Sequence, residues 1–464
     1  MTKPLQPVVL TGLALALTAC SFAPTYESPV SPVPATWPTG AAYPQASQAA
    51  SAMDWPTLLP DVRLQQLVSR ALAQNRDLRL AVLAVERAQG LYGIQRDSLY
   101  PTLNAQAAGS RQQRAQDLVQ PGQERRVGQY SVDLGTAAWE IDFFGRIRSL
   151  SAQALEQYLA TDQARRGAQL ALIAQVARAY LTLAADRELQ ALAQRTVQSQ
   201  QDAVALVRRR VEAGLANELD LQRAQALLES ARGEVARTTQ RVAQDRNALD
   251  LLVGAPVEDA LLPGSLAEVT PPQTVRAGLS SEVLLRRPDV MAAEHQLKAA
   301  YANIGAARAA LFPRISLTAT LGTASNQLSG LFGAGNGTWL FAPQAALPIF
   351  DTRLHAAVKV SQTEREIVLA QYEKTVQTAF REVADALATQ GTLEAQRQAQ
   401  QSVVEASRSS LRLATRRFEQ GLDSYLSVLD AQRSLFAAEQ SLVTLNQAKM
   451  LAQVGLYTVL GGAG

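Results

Sequence analysis

The strongest constraint on this chain is that it contains one motif twice. Arg416 to Leu435 reads RRFEQGLDSYLSVLDAQRSL and Arg209 to Leu228 reads RRVEAGLANELDLQRAQALL, aligned without a gap at an offset of 417 − 210 = 207. Each copy has the grammar of a tight helix–turn–helix. Arg209 and Arg210, like Arg416 and Arg417, sit where cations suit the negative end of a helix, and Gly214 or Gly421 takes the left-handed position just past it. Asn217 or Ser424 then caps the next helix. The duplication extends upstream: Gly93, Arg96, Leu99, Tyr100 and Pro101 recur as Gly305, Arg308, Leu311, Phe312 and Pro313. A repeated unit of this kind predicts one architecture built twice in place of a row of unrelated domains.

Prolines punctuate the unit. None falls between Asp61 and Tyr100, so Val62 to Leu99 is predicted helical, with Pro101 as its stop. Arg146 to Ala213 and Arg353 to Gln420 are also free of proline. A helix of that size is roughly 100 Å long at 1.5 Å per residue, far more than a compact domain needs. Leu170, Ile173, Ala177, Tyr180 and Ala184 step by three and four, the spacing of helices that pack side by side.

Between the helices the period changes to two. Ile315, Leu317, Ala319 and Leu321 alternate with Ser316, Thr318 and Thr320, and Trp339 and Phe341 continue beyond a Gly-rich tip at Gly333 to Gly337. In the first repeat Leu103, Ala105 and Ala107, then Tyr130, Val132 and Leu134, alternate with polar residues. Each repeat thus supplies a hairpin of strands near ~10 residues, long enough to cross a bilayer when tilted. Alternation of apolar and polar faces is the transmembrane-barrel pattern. Four strands cannot close into a barrel, and open sheet edges in lipid cost several kcal/mol per unpaired backbone group. Since the smallest closed barrels need about eight strands, identical chains must share one, as a dimer or a trimer.

Composition narrows the functions. A net charge of +3 without a basic block excludes nucleic-acid binding. One cysteine excludes a disulfide framework and a multi-cysteine metal site, and no cofactor or metal is expected. His295 and His355 read as solvated helix surface. No nucleophile–base set or paired-carboxylate site stands outside the repeat, so the chain is not expected to be an enzyme. At the amino terminus a positive start, an apolar run from Val8 to Leu17 and Leu17-Thr18-Ala19-Cys20 resemble a lipoprotein processing box, with Cys20 as the lipidated first residue. The expected division is 1–19 signal peptide; 20–60 lipid-anchored extended segment rich in Pro and Ser; 61–253 first repeat with its β-hairpin at 101–144; 254–287 linker; and 288–464 second repeat with its β-hairpin at 313–350. The fold class is mainly α with a small membrane β-barrel part.

Leu284-Leu-Arg-Arg-Pro-Asp-Val290, Leu311-Phe-Pro313 and Tyr425-Leu-Ser-Val-Leu-Asp-Ala-Gln432, with the lipid box and the duplicated hairpins, resemble the outer-membrane efflux proteins. Within them they are most similar to the lipidated OprM/NodT branch of the TolC-like family. Ser280 departs from that pattern, which usually has Pro there. The resemblance implies a homotrimer with a shared twelve-stranded barrel in outer-membrane lipid and a long α-helical barrel projecting into the periplasm. It implies a passive exit duct for drugs, joined through a periplasmic adaptor protein to an inner-membrane pump of the resistance–nodulation–division class. Leu426 and Asp430 would line the closed periplasmic constriction as channel gate. Adaptor contacts would fall around Gly214, Gly421, Arg209, Arg210, Arg416 and Arg417. The alternatives are the outer-membrane channel of a protein-secretion system, built on the same fold, and a lipid-anchored periplasmic coiled-coil scaffold without a pore. For Asp430 the competing reading is a surface pair with Arg433, i to i+3.

Overall fold

The computed structural model describes residues 22–43, 53–278 and 280–462. Cys20 and the proposed signal peptide lie outside them. The principal elements are α1 (Val62–Gln74), α2 (Arg76–Asp97), β1 (Asn104–Gln113), β2 (Arg126–Ile141), α3 (Arg146–Glu212), α4 (Glu218–Val253), α5 (Pro288–Ala309), β3 (Arg314–Ser325), β4 (Gly337–Ala346), α6 (Thr352–Glu419) and α7 (Tyr425–Val459). The chain divides into two compact units, one of Met1–Pro29, Val85–Thr161 and Ala293–Tyr372, the other of Val30–Ala84, Asp162–Ala292 and Glu373–Gly464.

The first unit contains the sheet, four antiparallel strands in the order β1-β2-β3-β4. Its register sets Leu134 opposite Leu321, and Leu321 opposite Trp339. Side chains of paired residues share a face, so Tyr130, Val132, Leu134, Leu321, Trp339 and Phe341 form one apolar surface. That surface is uncovered: Leu321 is 68% exposed, Trp339 78% and Phe341 62%. The opposite face carries Gln106, Ser131, Asp133, Thr320 and Thr338. β2 runs for 16 residues and β3 for 12, longer than the ten expected. The extra length of β2 contains a bulge between Thr136 and Trp139, where Ala138 takes φ +51° and its N–H donates to Thr318 Oγ1 at 3.0 Å. Close approach also explains Gly135, whose added Cβ would stand 2.1 Å from the carbonyl oxygen of Ala319.

Around the helical end of the sheet, Phe312 stacks between Phe22 and Phe144, with ring centroids 4.4 and 5.2 Å apart. Arg308 Nη1 donates to the Phe22 carbonyl at 3.2 Å, and Tyr26 donates to Glu294 at 3.0 Å. The segment therefore lies along α5, and Gly305 leaves room for Ala23, only 2.8 Å from where a Cβ would stand. His295 is not solvated surface as its sequence context predicts. It is largely buried, with Nδ1 2.6 Å from Glu156 Oε2 on α3.

The second unit is held by side chains that the helical spacing marks. Ile173, Ala177, Tyr180 and Ala184 are all buried on α3, together with Leu64, Leu67 and Val68 of α1 and Leu249 and Val253 of α4. Asp61 ties these together: it caps α1 by accepting from the N–H groups of Arg63 and Leu64 at 3.0 and 3.1 Å, and accepts from Tyr180 Oη at 3.3 Å. The predicted helix from Val62 to Leu99 is broken after Gln74. Asn75 is extended, accepts from Leu78 N–H at 2.9 Å as the cap of α2, and donates to the Leu252 carbonyl at 2.9 Å. Ser280, where the family pattern has Pro, accepts from Glu282 N–H at 3.1 Å and so caps a short 3-10 helix. In α3 an 18-residue window is apolar enough to cross a membrane, but 56% of it is buried within the chain, as a core helix would be.

An unusual charge arrangement joins α3 and α4. Burial, then a hydrogen bond to Asp186, pushes the Asp245 carboxyl up to about 7, and Arg241 opposes that shift. A carboxyl raised in the fold above its value of 3.8 binds its proton more tightly folded than unfolded. Its contribution is fully present below the unfolded value and is lost as pH rises through that window. Thermal unfolding followed by circular dichroism is expected to show Asp245→Asn gaining on the parent chain between roughly pH 4 and 7, with a constant margin above. Parallel melting curves for the two proteins across that range would exclude the proton-sharing pair.

Candidate functional site

The two hairpins lie in the second unit and share a core. Val207, Leu221, Ala224 and Leu228 from the first pack with Phe418, Tyr425, Val428 and Leu429 from the second. Each long helix ends as the duplicated grammar requires. Gly214 has φ +69° and Gly421 φ +73°, and nothing lies within 4 Å of an added Cβ at either, so the demand is purely conformational. Leu215 N–H donates to the Arg210 carbonyl at 2.7 Å and Leu422 N–H to the Arg417 carbonyl at 2.9 Å, closing the same six-residue motif twice. Asn217 then accepts from Asp220 N–H at 2.8 Å, whereas Ser424 occupies its cap position without a side-chain bond.

The matched arginines do different work. Arg210 lies over the Phe418 ring, 4.5 Å from its centroid, and so clamps the first hairpin to the second. Arg417 instead makes a two-pronged pair with Asp423, at 2.6 and 3.0 Å, across its own turn. That pair holds the Asp423 carboxyl below its usual range. The first hairpin has Ala216 at the position of Asp423, so Arg210 is left for the ring. Arg209 reaches back to the Ala205 carbonyl at 3.3 Å, and Arg416 is exposed.

Leu426 and Asp430 stand on the face of α7 turned away from this core. Tyr425, Val428 and Leu429 are buried, while Leu426 is 40% exposed and Asp430 is exposed. The two are one turn apart on one surface. Asp430 is paired with Arg433 within its own helix. In the first hairpin Leu219 is exposed likewise, but Arg223 replaces the acid and pairs with Asp220 at 3.7 Å. Tyr425 opens the motif that carries the resemblance, but the sequence assigns no role to its ring, which is central to the shared core. Its hydroxyl has no hydrogen-bond partner among the described residues, and burial, reinforced by the charge of Asp220, pushes it up to about 12. Its signal was the replacement of Glu218 of the first copy by an aromatic at the start of a helix.

The sequence profile described as "Outer membrane efflux protein" matches residues 67–255 and 279–462. A relative named toluene efflux pump outer membrane protein TtgC, from Pseudomonas putida, is 45% identical over 466 residues, covering 100% of this chain and 96% of that protein. Outer membrane protein OprJ of Pseudomonas aeruginosa is 42% identical over 468 residues, covering 100% of this chain and 97% of its own. Among solved structures, the open state of the MtrE outer membrane channel of Neisseria gonorrhoeae superposes with a TM-score of 0.84 at 39% identity. The match covers 96% of this chain and 98% of that one.

Proposed function

Because this chain belongs to the outer membrane efflux protein family, we propose that it is the outer-membrane exit duct of an efflux pump for organic compounds of the kind its relatives are named for, toluene and antibiotics. The observation that carries this reading is the sheet: four strands with an uncovered apolar face and two edges, β1 and β4, that are unpaired among the described residues. Such a sheet is stable in lipid only when the edges are joined, because no water there satisfies the free N–H and C=O groups. Three copies would supply twelve strands, with the Gln106, Asp133 and Thr320 face lining the bore. The long helices continue the duct in the periplasm. The segments matched to the family profile, 67–255 and 279–462, support division into two repeats, 61–253 and 288–464, around the linker 254–287. The duct is passive, with no reaction assigned to any residue.

The hairpins supply the periplasmic end. Around the axis of a trimer, Leu426 would form an apolar ring and Asp430 an acidic one, the first closing the bore by excluding water and the second favouring cations. The exposed Arg209 and Arg416, with the turns at Gly214 and Gly421, face the adaptor, while Arg210 and Arg417 shape those turns. Cys20 carries the lipid anchor. The efflux functions named for the relatives favour a pump over a protein-secretion system, and the open sheet edges disfavour a pore-free scaffold. Planar-bilayer recording of the purified protein is expected to give discrete, cation-favouring conductance steps from a species that runs as a trimer unless heated. A monomer that leaves the bilayer electrically silent would overturn the proposal.

A further inference from the structure

The two ends of the sheet treat their arginines differently. At the end joined to the helices, Glu140 holds Arg146 at 2.7 Å and Arg314 at 2.6 Å, and Asp142 holds Arg148 at 3.3 Å. At the loop end Arg111, Arg114, Arg125 and Arg126 line a single cleft of about 1090 Å³. None of the four makes an ion pair among the described residues. Arg125 Nε reaches the Arg114 carbonyl at 3.4 Å and Arg126 Nε reaches Gln113 at 3.2 Å, both neutral acceptors. Glu124 lines the same cleft and Asp117 lies in the loop, which leaves four guanidinium groups facing two carboxylates.

The register fixes where this charge stands. Arg111 pairs with Gly128 and Arg126 with Gln113, so both arginines fall on the apolar face, two and four residues beyond Tyr130. At about 3.3 Å per residue that is roughly 7 and 13 Å past the last aromatic of that face, the depth at which acyl chains give way to headgroups. The second hairpin adds Asn326, Gln327 and Leu328 as the other wall of the cleft. No acid occurs anywhere in 315–350, so a neighbouring copy whose β4 joins this β1 brings no carboxylate to neutralise the cluster. Unpaired guanidinium groups at the rim of a lipid-facing surface match phosphate oxygens, which they bind in two-pronged geometry.

We propose that this cleft docks the phosphorylated headgroup of a glycolipid in the outer leaflet, with Arg111 and Arg126 on its phosphates and Tyr130 and Leu328 against its apolar part. The proposal rests on the membrane placement argued above. Its test is a titration of the full-length, detergent-purified protein with bisphosphorylated lipid A, monophosphorylated lipid A and phosphatidylethanolamine, read by native mass spectrometry. The parent chain is expected to prefer two phosphates over one, and either over the zwitterion. Replacing all four arginines by glutamine is expected to weaken bisphosphorylated lipid A by about ten-fold or more and to erase that preference. The pair Arg111→Gln with Arg126→Gln, a smaller change where four substitutions impair insertion, is expected to lose about three-fold. Equal binding by parent and variants would overturn the proposal, as would displacement of lipid A by an equal concentration of inorganic phosphate. A parent chain that binds lipid A through these arginines yet conducts no ions keeps this surface and overturns the duct reading alone.

Discussion

Arg287→Ala is expected to destabilise the protein by about 1–3 kcal/mol, because it removes a nearly buried guanidinium that joins three acceptors, two of them carboxylates that are 50% and 36% exposed and regain part of their hydration. The Arg287 side chain is 9% exposed. It donates to Asp289 at 3.0 and 2.7 Å, to Glu382 on α6 at 2.8 Å and to the Val459 carbonyl at the end of α7 at 2.7 Å. One guanidinium thus satisfies the start of α5, the side of α6 and the last turn of α7. Gly461, at φ +83°, passes close beneath it, an added Cβ standing 3.1 Å from Arg287 Cγ. Lysine cannot reproduce a planar fork serving three acceptors, so Arg287→Lys should recover only part of the loss. Arg287→Met combined with Glu382→Met should be milder than Arg287→Met alone, since part of the cost is the Glu382 carboxylate left without its partner. Thermal unfolding followed by helical circular dichroism measures all four variants, with a fall of roughly 5 °C expected for the alanine variant. An unchanged midpoint in Arg287→Ala would show that the arrangement contributes no stability.

That arrangement marks the limit of what could be read from the chain alone. The motif Leu284 to Val290 stands out by composition, but Glu382 is 95 residues away and nothing in its helical context distinguishes it from solvated neighbours. Helix ends were legible wherever a backbone rule is strict: Gly214 and Gly421 adopt the left-handed turns that their positions demand. The break at Asn75 was not, because no Pro or Gly marks it. The signal was local after all, since Asn followed three residues later by a buried leucine is a cap. The bulge at Ala138 has no such signal, as two consecutive alanines carry no turn chemistry. The strands' alternation was legible because a lipid-facing surface requires it at every second position. The charges at their ends were not, for whether an arginine is neutralised depends on which acids the register brings alongside. Identity between repeats misled in one respect. Arg210 and Arg417 align, yet one clamps an aromatic ring and the other an aspartate, decided by Ala216 against Asp423.

The same asymmetry sets the expected outcome at the proposed gate. Leu426→Ala with Asp430→Ala should shift the duct strongly toward conduction. Both side chains project from α7 away from the shared core, so their removal leaves Tyr425, Val428 and Leu429 in place and the hairpins folded. Burying a half-exposed leucine is by itself worth roughly 1 kcal/mol of contact with neighbouring copies in each protomer. Three protomers lose about 3 kcal/mol in concert, and at 1.4 kcal/mol per factor of ten the closed-to-open ratio falls by about two orders of magnitude. Single-channel recording would show it as longer and larger openings, accompanied by loss of cation preference as the acidic ring disappears. The matched double variant of the first hairpin, Leu219→Ala with Arg223→Ala, is the internal control. The first hairpin has Arg223 where the second has the acid, so this variant removes no acidic ring and is expected to leave both conductance and selectivity nearly unchanged. Equal effects from the two hairpins would mean that neither is a gate and that each merely stiffens the tip. No effect from Leu426 and Asp430 would place the constriction elsewhere along the bore.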